Sequence, residues 1–440
     1  MEEIGLSQYG RSSSVPSPVN RMMADFAADF RDGVDINLGV GYVNERTIPA
    51  EQVRRALGEV IADPRKYRLS LNYGGPVGSG NLIASVRRYL IESAAGLAEA
   101  DLADKEILIG PNGATSLLES LAYVLPAGIV VTSDPMYYIY TNFLERRGFE
   151  LLAVPEDDQG LKTDLLEEKL AGLGDRVDQV RFFYVVTVGN PTCSVLSDAR
   201  RRELVSAAWR LSERLGRKVP VVFDRAYEDL VHSARLAAPA SALPYDPGGI
   251  VHEIGTLSKV LAPGLRIGYL VGRASPMMRA IVQRTSDAGF SAAMINQEIA
   301  SWLLDHHVAV QLESVQAGYR QKAAAVRGWL DEYLGPHLQA VSGGKAGFYF
   351  YLTFRDVRTD EDSPLFRYLT RTTGDAAVDG PAGEPKPRVI YIPGVHCVHP
   401  RGDLARIGRR QLRISYAFEE LPAIRTALRL MREAVEYAVT

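Results

Sequence analysis

Cysteine is scarce in this sequence, and neither sign of charge dominates. The two cysteines, Cys193 and Cys397, have no paired or metal-ligand spacing, which argues against a disulfide framework and a zinc knuckle. The 50 Lys and Arg residues nearly balance 53 Asp and Glu residues, for a net charge of -3. We therefore expect no nucleic-acid partner, because binding one requires a basic face. His396 and His399 flank Cys397, but no further ligand stands near them, and we predict no metal site.

Long hydrophobic runs are also lacking. No stretch approaches the roughly 18 consecutive apolar residues of a membrane-spanning helix. The N-terminal stretch MEEIGLSQYGRSSS lacks the apolar core of a signal peptide. We therefore expect a cytoplasmic protein with no membrane partner. The length of 440 residues favours two domains, because single hydrophobic cores stop growing beyond roughly 250–300 residues.

Short apolar runs rich in Val, Ile, Tyr and Phe alternate with helical patterns between about residues 105 and 272. They predict strands buried on both faces of a sheet at 106–109, 129–132, 181–186, 219–223, 251–254 and 267–271. Ser197 and Gly216 have the residue types that cap the two ends of a connecting helix. This alternation predicts an α/β fold with a mostly parallel sheet. From about residue 306 onward, the pattern predicts a smaller α+β domain.

The most informative stretch is Thr256-Leu-Ser-Lys-Val-Leu-Ala-Pro-Gly-Leu-Arg266-Ile-Gly, which lies between two predicted strands. A lone lysine on a loop is usually a solvated surface residue. Here, burial and a nearby cation would favour a neutral Lys259 amine, which can form an imine with an aldehyde. The hydroxyls of Thr256 and Ser258 and the guanidinium of Arg266 would form a cup for a phosphate group.

This stretch resembles the pyridoxal-5′-phosphate (PLP) lysine motif of class I/II aminotransferases, S-x-S-K-x-x-x-P-G-x-R-x-G, with Thr256 in place of the first serine. The resemblance extends from about residue 35 to 435 and implies PLP as cofactor, held as a Schiff base on Lys259. Two segments, Asn72-Tyr-Gly-Gly-Pro-Val-Gly78 and Tyr391-Ile-Pro-Gly-Val395, resemble most the valine–pyruvate or alanine aminotransferase-like branch.

The resemblance also implies an architecture. It is PLP fold type I, an α/β fold in which a large domain with a mostly parallel seven-stranded sheet joins a smaller α+β domain. We expect an N-terminal arm and part of the small domain at 1–50, the large PLP-binding domain at 51–305 and the small C-terminal domain at 306–440.

Two motifs are expected to handle the pyridine ring. Asp224 ends a predicted strand and is followed by Tyr227. An acid there is commonly a turn former, but the resemblance implies that Asp224 faces the ring nitrogen and that Tyr227 donates to the phenolic oxygen O3′. Asn190-Pro-Thr-Cys193 resembles the family's N-P-T-G motif, whose asparagine also donates to O3′. Cys193 stands where glycine is usual, which leaves the loop geometry open because cysteine tolerates a positive φ poorly.

Two further motifs are expected to hold the phosphate and to cover the ring. Backbone N–H groups at a helix start suit a phosphate, and the resemblance implies that the amides of Gly113, Ala114 and Thr115 bind it; a plain helix cap is the alternative. The segment Asp134-Pro-Met-Tyr137 resembles the one whose aromatic ring stacks on the pyridine. An ordinary aromatic cluster with Tyr138 and Tyr140 is the alternative for Tyr137.

Substrate and partner residues follow from the same resemblance. Arg413 resembles the arginine that clamps the substrate α-carboxylate, for which a planar guanidinium suits two-point contact. Gly41 resembles a glycine that lies over the substrate, and we also expect Asn190 to contact the substrate. Tyr73 resembles the tyrosine that reaches the phosphate of the neighbouring subunit, which implies a homodimer with shared active sites.

The predicted function is aminotransfer between an α-amino acid and a 2-oxo acid, in which Lys259 moves the Cα proton. The alternative is a specialised biosynthetic PLP enzyme that performs elimination, replacement or cyclisation, for example on S-adenosylmethionine. Cys193 and the unusual segment 41–46 favour it. A PLP-sensing regulator is less expected, because residues 1–35 are short for a DNA-binding domain. No arginine is assigned to a second substrate carboxylate, so the sequence does not predict the side-chain specificity.

Overall fold

The computed structural model describes residues 4–93, 95–381 and 383–439. Its strands are β1 (Ile36–Asn37), β2 (Lys105–Gly110), β3 (Ile129–Asp134), β4 (Glu150–Asp157), β5 (Gly160–Leu161), β6 (Val180–Val186), β7 (Val221–Asp224), β8 (Val251–Thr256), β9 (Gly268–Arg273), β10 (Leu338–Gly343), β11 (Tyr349–Phe354), β12 (Val389–Ile390), β13 (Ile392–Pro393) and β14 (Gln411–Ser415). Its helices are α1 (Gln8–Ser13), α2 (Pro18–Ala27), α3 (Ala50–Ala62), α4 (Gly80–Glu92), α5 (Gly113–Val124), α6 (Tyr138–Arg146), α7 (Thr163–Gly172), α8 (Asp198–Leu215), α9 (Pro276–Gly289), α10 (Met294–His306), α11 (Val308–Leu334), α12 (Pro364–Thr370), α13 (Ala376–Asp379), α14 (Ala405–Gly408) and α15 (Leu421–Val439).

The large sheet has the strand order β2-β9-β8-β7-β6-β3-β4-β5. Strands β8, β7, β6, β3 and β4 run parallel to one another, whereas β9 runs antiparallel to both of its neighbours, β2 and β8. The predicted α/β fold with a mostly parallel sheet is therefore confirmed. All six strands predicted from apolar runs are present, with boundaries shifted by at most a few residues.

The expected number of seven strands is corrected to eight. The additional strand, β5, has two residues and turns back antiparallel onto the end of β4. Gly160 makes this hairpin possible, because its φ of +88° lies in a region that residues with a Cβ rarely adopt. The pattern analysis missed β4 as well, since Pro155 and the acidic end of that strand interrupt its apolar run.

Helices cover both faces of the large sheet. On β2, Ile107 and Ile109 belong to one hydrophobic cluster with α3, α4, α8 and α10, whereas Leu108 belongs to the opposite cluster with α5, α6 and α9. This alternation follows from the two-residue repeat of a strand. Helix α8 begins and ends as predicted, with the Ser197 hydroxyl accepting from a backbone N–H and Gly216 in the left-handed conformation.

A second, antiparallel sheet has the order β10-β11-β14-β13. Its core includes residues of α11, α12 and α15 together with N-terminal residues such as Phe26 and Leu38. Strand β1 joins this region by pairing in parallel with β12. No helix in the described part of the chain is both long and apolar enough to cross a membrane.

Candidate active site

The carboxyl ends of β6, β7 and β8 meet at one edge of the large sheet, where a cavity of about 300 Å³ faces the second sheet. The cavity collects most of the predicted site residues. Those that line it are Gly41, Ala114, Thr115, Tyr137, Asn190, Asp224, Tyr227, Thr256, Ser258, Lys259, Arg266 and Arg413. Asn190, Asp224 and Lys259 come together because the carboxyl ends of parallel strands share an edge, whereas Arg413 reaches the cavity from the second sheet.

Lys259 follows β8, and its Nζ donates to the carbonyl oxygen of Gly41 at 3.0 Å. Burial lowers the pKa of Lys259 to about 8, and the positive charges of Arg413 and Arg266 act in the same direction. The negative charge of Asp224 opposes them. About a tenth of the amine is therefore neutral at pH 7, far more than for an ordinary lysine, and a neutral amine is the form that attacks an aldehyde.

Asp224 is the last residue of β7 and is buried. Its Oδ2 accepts from the Tyr184 hydroxyl at 2.9 Å, and its Oδ1 accepts from the Ala226 backbone N–H at 3.0 Å. Burial raises the pKa of Asp224 to about 6, although both hydrogen bonds lower it. A cation that approached this carboxyl group would favour its charged form.

The predicted phosphate cup forms between the end of β8 and the start of α5. Thr256 Oγ1 lies 3.0 Å from Ser258 Oγ, and Arg266 donates from Nε to Asn112 Oδ1 at 2.8 Å. Ala114 and Thr115 line the cavity beside them. A hydroxyl pair, a guanidinium and a helix N-terminus together suit a phosphate.

Gly113 requires a correction. It does not line the cavity, and its backbone N–H donates to the carbonyl oxygen of Arg266 at 2.8 Å. The sequence motif predicted this amide as a phosphate donor, but the tertiary structure gives it a protein partner. Its φ of +68° and the 3.3 Å between a Cβ built there and the Arg266 guanidinium indicate that glycine makes room for Arg266.

Arg413 lies on β14 and is buried with its guanidinium toward the cavity. Its Nη1 donates to Asn190 Oδ1 at 2.8 Å, and its Nη2 donates to the carbonyl oxygen of Gly39. Its Nε has no hydrogen-bond partner among the described residues. The ring centre of Tyr349 lies 4.3 Å from the guanidinium carbon. The guanidinium is thus oriented by two acceptors and a ring, and its planar fork at the cavity wall suits a carboxylate.

The three tyrosines after Asp134 divide between two environments. Tyr137 and Tyr138 line the cavity, whereas Tyr140 packs in the core and donates to the carbonyl oxygen of Leu118 at 2.8 Å. The predicted position of Tyr137 at the site is therefore compatible with a role in covering a ligand.

Cys193 adopts the backbone conformation that glycine usually takes, with a φ of +52°. Its side chain is buried, and a Cβ built at Gly347 would lie 2.6 Å from its Sγ. The loop that carries Asn190 thus keeps a left-handed turn at Cys193, and the absence of a side chain at Gly347 accommodates the thiol. Both cysteines are free thiols.

Some predicted residues lie outside the cavity. Tyr73 is 75% exposed, and its ring packs against Phe290 at a centroid distance of 5.4 Å. His396 Nε2 lies 2.6 Å from Glu361 Oε1, and His399 is not a cavity residue. Within the described ranges, no cluster of three or more His, Cys, Asp or Glu side chains is arranged to hold a metal ion.

The sequence analysis missed several residues of the site, of which two make hydrogen bonds to predicted site residues. Tyr184 hydrogen-bonds Asp224, and Tyr349 lines the cavity with its hydroxyl 2.9 Å from that of Tyr227. In β11 (Tyr349–Phe354), the successive aromatic residues gave no signal of which face would meet the site.

The donor set fits PLP. Thr256, Ser258 and Arg266 suit its phosphate, the Lys259 amine suits its aldehyde, and the buried Asp224 carboxyl suits a protonated pyridine nitrogen. Arg413, with its unpartnered Nε, suits the carboxylate of an amino acid.

Comparison with known proteins agrees with this fit. Residues 34–407 match the model of the family described as aminotransferase class I and II. The uncharacterized HTH-type transcriptional regulator YisV of Bacillus subtilis is 25% identical over 401 residues, which cover 90% of this chain and 73% of that protein. Aromatic-amino-acid aminotransferase 1 of Thermococcus litoralis is 25% identical over 307 residues, which cover 68% and 69% of the two chains. The crystal structure of Pyrococcus horikoshii kynurenine aminotransferase in complex with PMP superposes with a TM-score of 0.82 at 22% identity, over 98% of this chain and 97% of that chain.

Proposed function

The chain belongs to the class I and II aminotransferase family, and from that premise we propose that Lys259 carries the cofactor and Arg413 binds the α-carboxylate of the substrate. The protein is a PLP-dependent transferase that moves an amino group between amino acids and oxo acids, and its α/β structure has PLP fold type I. The observation that carries the assignment of residues is the convergence of Lys259, Asp224 and Arg413 in one cavity from three separate strands or strand ends.

Each residue has a task that follows from its position. When bound, PLP supplies a protonated ring that takes up the electron pair left at the substrate Cα. Asp224 would hold the ring nitrogen in its protonated form, and Tyr227 and Asn190 would be the donors to O3′. The Lys259 amine would remove the Cα proton and return it as general base and acid.

Thr256, Ser258, Arg266 and the amides of Ala114 and Thr115 bind the phosphate. Tyr137 shields the ring from water.

The substrate side chain is proposed to be apolar or aromatic. The positively charged residues that line the cavity are Lys259, Arg266 and Arg413, and each already has a task. The rim contains Tyr42, Tyr138 and Ile139, which offer aromatic and aliphatic surface. The aromatic-amino-acid aminotransferase of Thermococcus and the kynurenine aminotransferase of Pyrococcus, both similar to this chain, support this class. Membership of the valine–pyruvate branch stays a prediction that the same substrate panel would test.

The experiment is cofactor mapping followed by a transfer assay. PLP-loaded protein reduced with borohydride should carry the pyridoxyl group on Lys259 in a peptide map. Lys322 is an internal control, because burial also lowers its pKa but its Nζ donates to the carbonyl oxygens of Ala417 and Glu419 outside the cavity. A label on Lys322 or any other lysine would overturn the assignment.

In the transfer assay, phenylalanine, leucine, valine, alanine, aspartate and S-adenosylmethionine are each offered with a 2-oxo acid. Formation of a new amino acid from apolar or aromatic donors supports the proposal. Products of elimination or cyclisation would instead support the alternative chemistry. Cys193 no longer favours that alternative, since it adopts the glycine-like turn.

A homodimer with shared active sites is proposed as the assembly. The segment that carries Tyr73 exposes Leu69 (55%) and Leu71 (78%), and Phe290, which packs against the Tyr73 ring, is 60% exposed. Exposed apolar side chains of this kind are typical of a surface that meets a partner. Sedimentation should give a dimer, and a fully active monomer near 48 kDa would contradict this proposal. The domain boundaries at residues 50 and 305 and the cytoplasmic location stay predictions.

A further inference from the structure

The cavity contains two phenol hydroxyls in direct contact. Tyr227 Oη and Tyr349 Oη lie 2.9 Å apart, and both side chains are buried. Tyr227 follows β7 in the large sheet, whereas Tyr349 is the first residue of β11 in the second sheet. The pair is therefore a polar link between the two halves of the site.

Gly41 makes room for the hydroxyl of Tyr349 rather than for its ring. A Cβ built at Gly41 would lie 2.7 Å from Tyr349 Oη, whereas the next atom, Cζ of the same ring, is 3.9 Å away. A Cβ cannot lie 2.7 Å from an atom to which it is not bonded, whereas 3.9 Å is an ordinary van der Waals separation. A phenylalanine at position 349 would thus remove the atom that requires glycine at position 41.

The ring of Tyr349 also contacts the substrate half of the site. Its centre lies 4.3 Å from the guanidinium carbon of Arg413, and strands β11 and β14 pair so that Tyr349 lies opposite Ser415, two residues beyond Arg413. A guanidinium over an aromatic face is attracted to it and restricted to one plane.

On this geometry we propose that Tyr349 is a positioning residue that donates its hydroxyl proton to Tyr227 and holds Arg413 with its ring. The inference rests on the proposed function. A phenol can donate one proton and accept others. If Tyr227 accepts from Tyr349, its own proton is free for O3′ of the cofactor, and the accepted hydrogen bond makes it a stronger donor. Tyr349 thereby tunes the cofactor without touching it.

The groups that face the two hydroxyls come from every element around them. They are Arg413, Lys259, Tyr137, Tyr138 and Cys193, and Asp224 interacts with Lys259 and Tyr137 behind them. The phenylalanine substitutions used below leave these groups unchanged and add no atom to the cavity. Only Gly41→Ala adds an atom, and it does so by design.

The test is a double-mutant cycle read from the absorbance of bound PLP as a function of pH. A donor to O3′ stabilises the deprotonated form of the chromophore, so loss of the donor moves its titration midpoint upward. We expect Tyr349→Phe to raise the midpoint by roughly half a pH unit, the size of one neutral hydrogen bond. Tyr227→Phe should raise it further, and the double variant should equal Tyr227→Phe, because Tyr349 acts only through Tyr227.

Tyr351→Phe is the matched control. Tyr351 lies on the same strand, is equally buried and donates its hydroxyl to Gln411 Oε1 at 3.1 Å, outside the cavity. Its loss should leave the midpoint unmoved. If the midpoint of Tyr349→Phe did not move, or if the shift of the double variant were the sum of the two single shifts, this proposal would be overturned. The proposed function would stand in either case. No cofactor band in the wild-type protein would overturn the proposed function and this proposal with it.

A second measurement tests the geometry independently. Gly41→Ala should lower the melting temperature of the PLP-loaded protein, since its methyl group meets Tyr349 Oη. In the Tyr349→Phe background the same alanine should cost little, because 3.9 Å to Cζ is an ordinary contact. An equal loss in both backgrounds would show that the hydroxyl does not lie where the proposal requires it.

Discussion

Two clusters of charged residues meet near the end of β7, one through Asp224 and the other through Arg225 and Glu228, and they differ in how their charges balance. The first, the cavity cluster, contains Lys259, Arg266 and Arg413 and the single carboxylate Asp224. The second, the ion network, contains Arg201, Arg225, Glu228 and Glu253. The network sums to zero charge, whereas the cavity cluster has an excess of positive charge.

The ion network satisfies its carboxylates within the protein. Arg225 Nη1 lies 2.6 Å from Glu253 Oε2, Arg201 Nη2 lies 2.7 Å from Glu228 Oε1, and Arg225 Nε also contacts Glu228. Glu253 accepts further from the backbone N–H of Ala242 at 2.7 Å. Buried charges that are paired in this way serve the structure.

The cavity cluster leaves its excess charge for a ligand. A phosphate and a substrate carboxylate are the anions that would neutralise Arg266 and Arg413, and burial keeps Lys259 partly neutral. The comparison teaches that the net charge of a cluster distinguishes a structural role from a ligand-binding role better than its burial does.

The largest effect is expected for Lys259 of the cavity cluster, on activity and not on stability. Lys259→Ala should abolish the borohydride-stable PLP attachment and lower amino transfer by several orders of magnitude, because the nucleophile and proton carrier is removed. Its unfolding midpoint in urea should not fall, since a buried cation with a single hydrogen-bond partner is lost. A strongly destabilised variant would mean that Lys259 is structural.

The next prediction uses two carboxylates four positions apart. Asp224→Asn should keep the fold but slow Cα–H exchange of a bound amino acid by several orders of magnitude, since the ring nitrogen loses its partner. Glu228→Gln should instead destabilise the protein by about 3–5 kcal/mol, because Arg201 and Arg225 lose their counter-charge. Deuterium exchange per folded molecule and urea unfolding measure the two effects. If Asp224→Asn instead destabilised the protein and Glu228→Gln slowed the Cα–H exchange, the roles of the two clusters would be reversed.

A smaller effect is expected at the substrate end of the cavity. Arg413→Lys keeps the charge but not the planar two-point contact. It should weaken amino-acid binding about tenfold or more, in line with roughly 1.5–3 kcal/mol for charge-assisted hydrogen bonds. Spectral titration with an amino acid and with its decarboxylated analogue measures this, and the analogue should lose much less. Equal losses would place the role of Arg413 in the fold or the cofactor site.

The smallest effect concerns pH. Burial lowers the pKa of Lys259 to about 8, so the amine is protonated below that pH and neutral above it. The rate at which the protein captures added PLP should therefore rise about tenfold between pH 7 and a plateau that begins near pH 9, about one unit above the pKa. Stopped-flow absorbance measures the rate. A midpoint near the ordinary lysine value of about 10.4 would contradict the burial of this amine.

The cofactor half of the site was predictable because its residues lie in short motifs at strand ends. Thr256 ends β8, Ser258 and Lys259 follow it, and Asp224 ends β7. Once a parallel sheet is predicted, these ends must meet at one edge. The amide of Gly113 was not predictable in the same way, since its partner, the carbonyl oxygen of Arg266, is distant in the sequence.

The sequence by itself determined the apolar strands, the capped helix α8 and the motif residues around Lys259, because each depends on neighbours within a few positions. Only the tertiary structure decided that Asn190 meets Arg413, 223 positions away, and that Tyr227 meets Tyr349, 122 positions away. The two-residue repeat of a strand tells which side chains share a face. In β11, where Tyr349, Phe350 and Tyr351 are all aromatic, it cannot tell which face meets the cavity, and packing against the other sheet makes that choice.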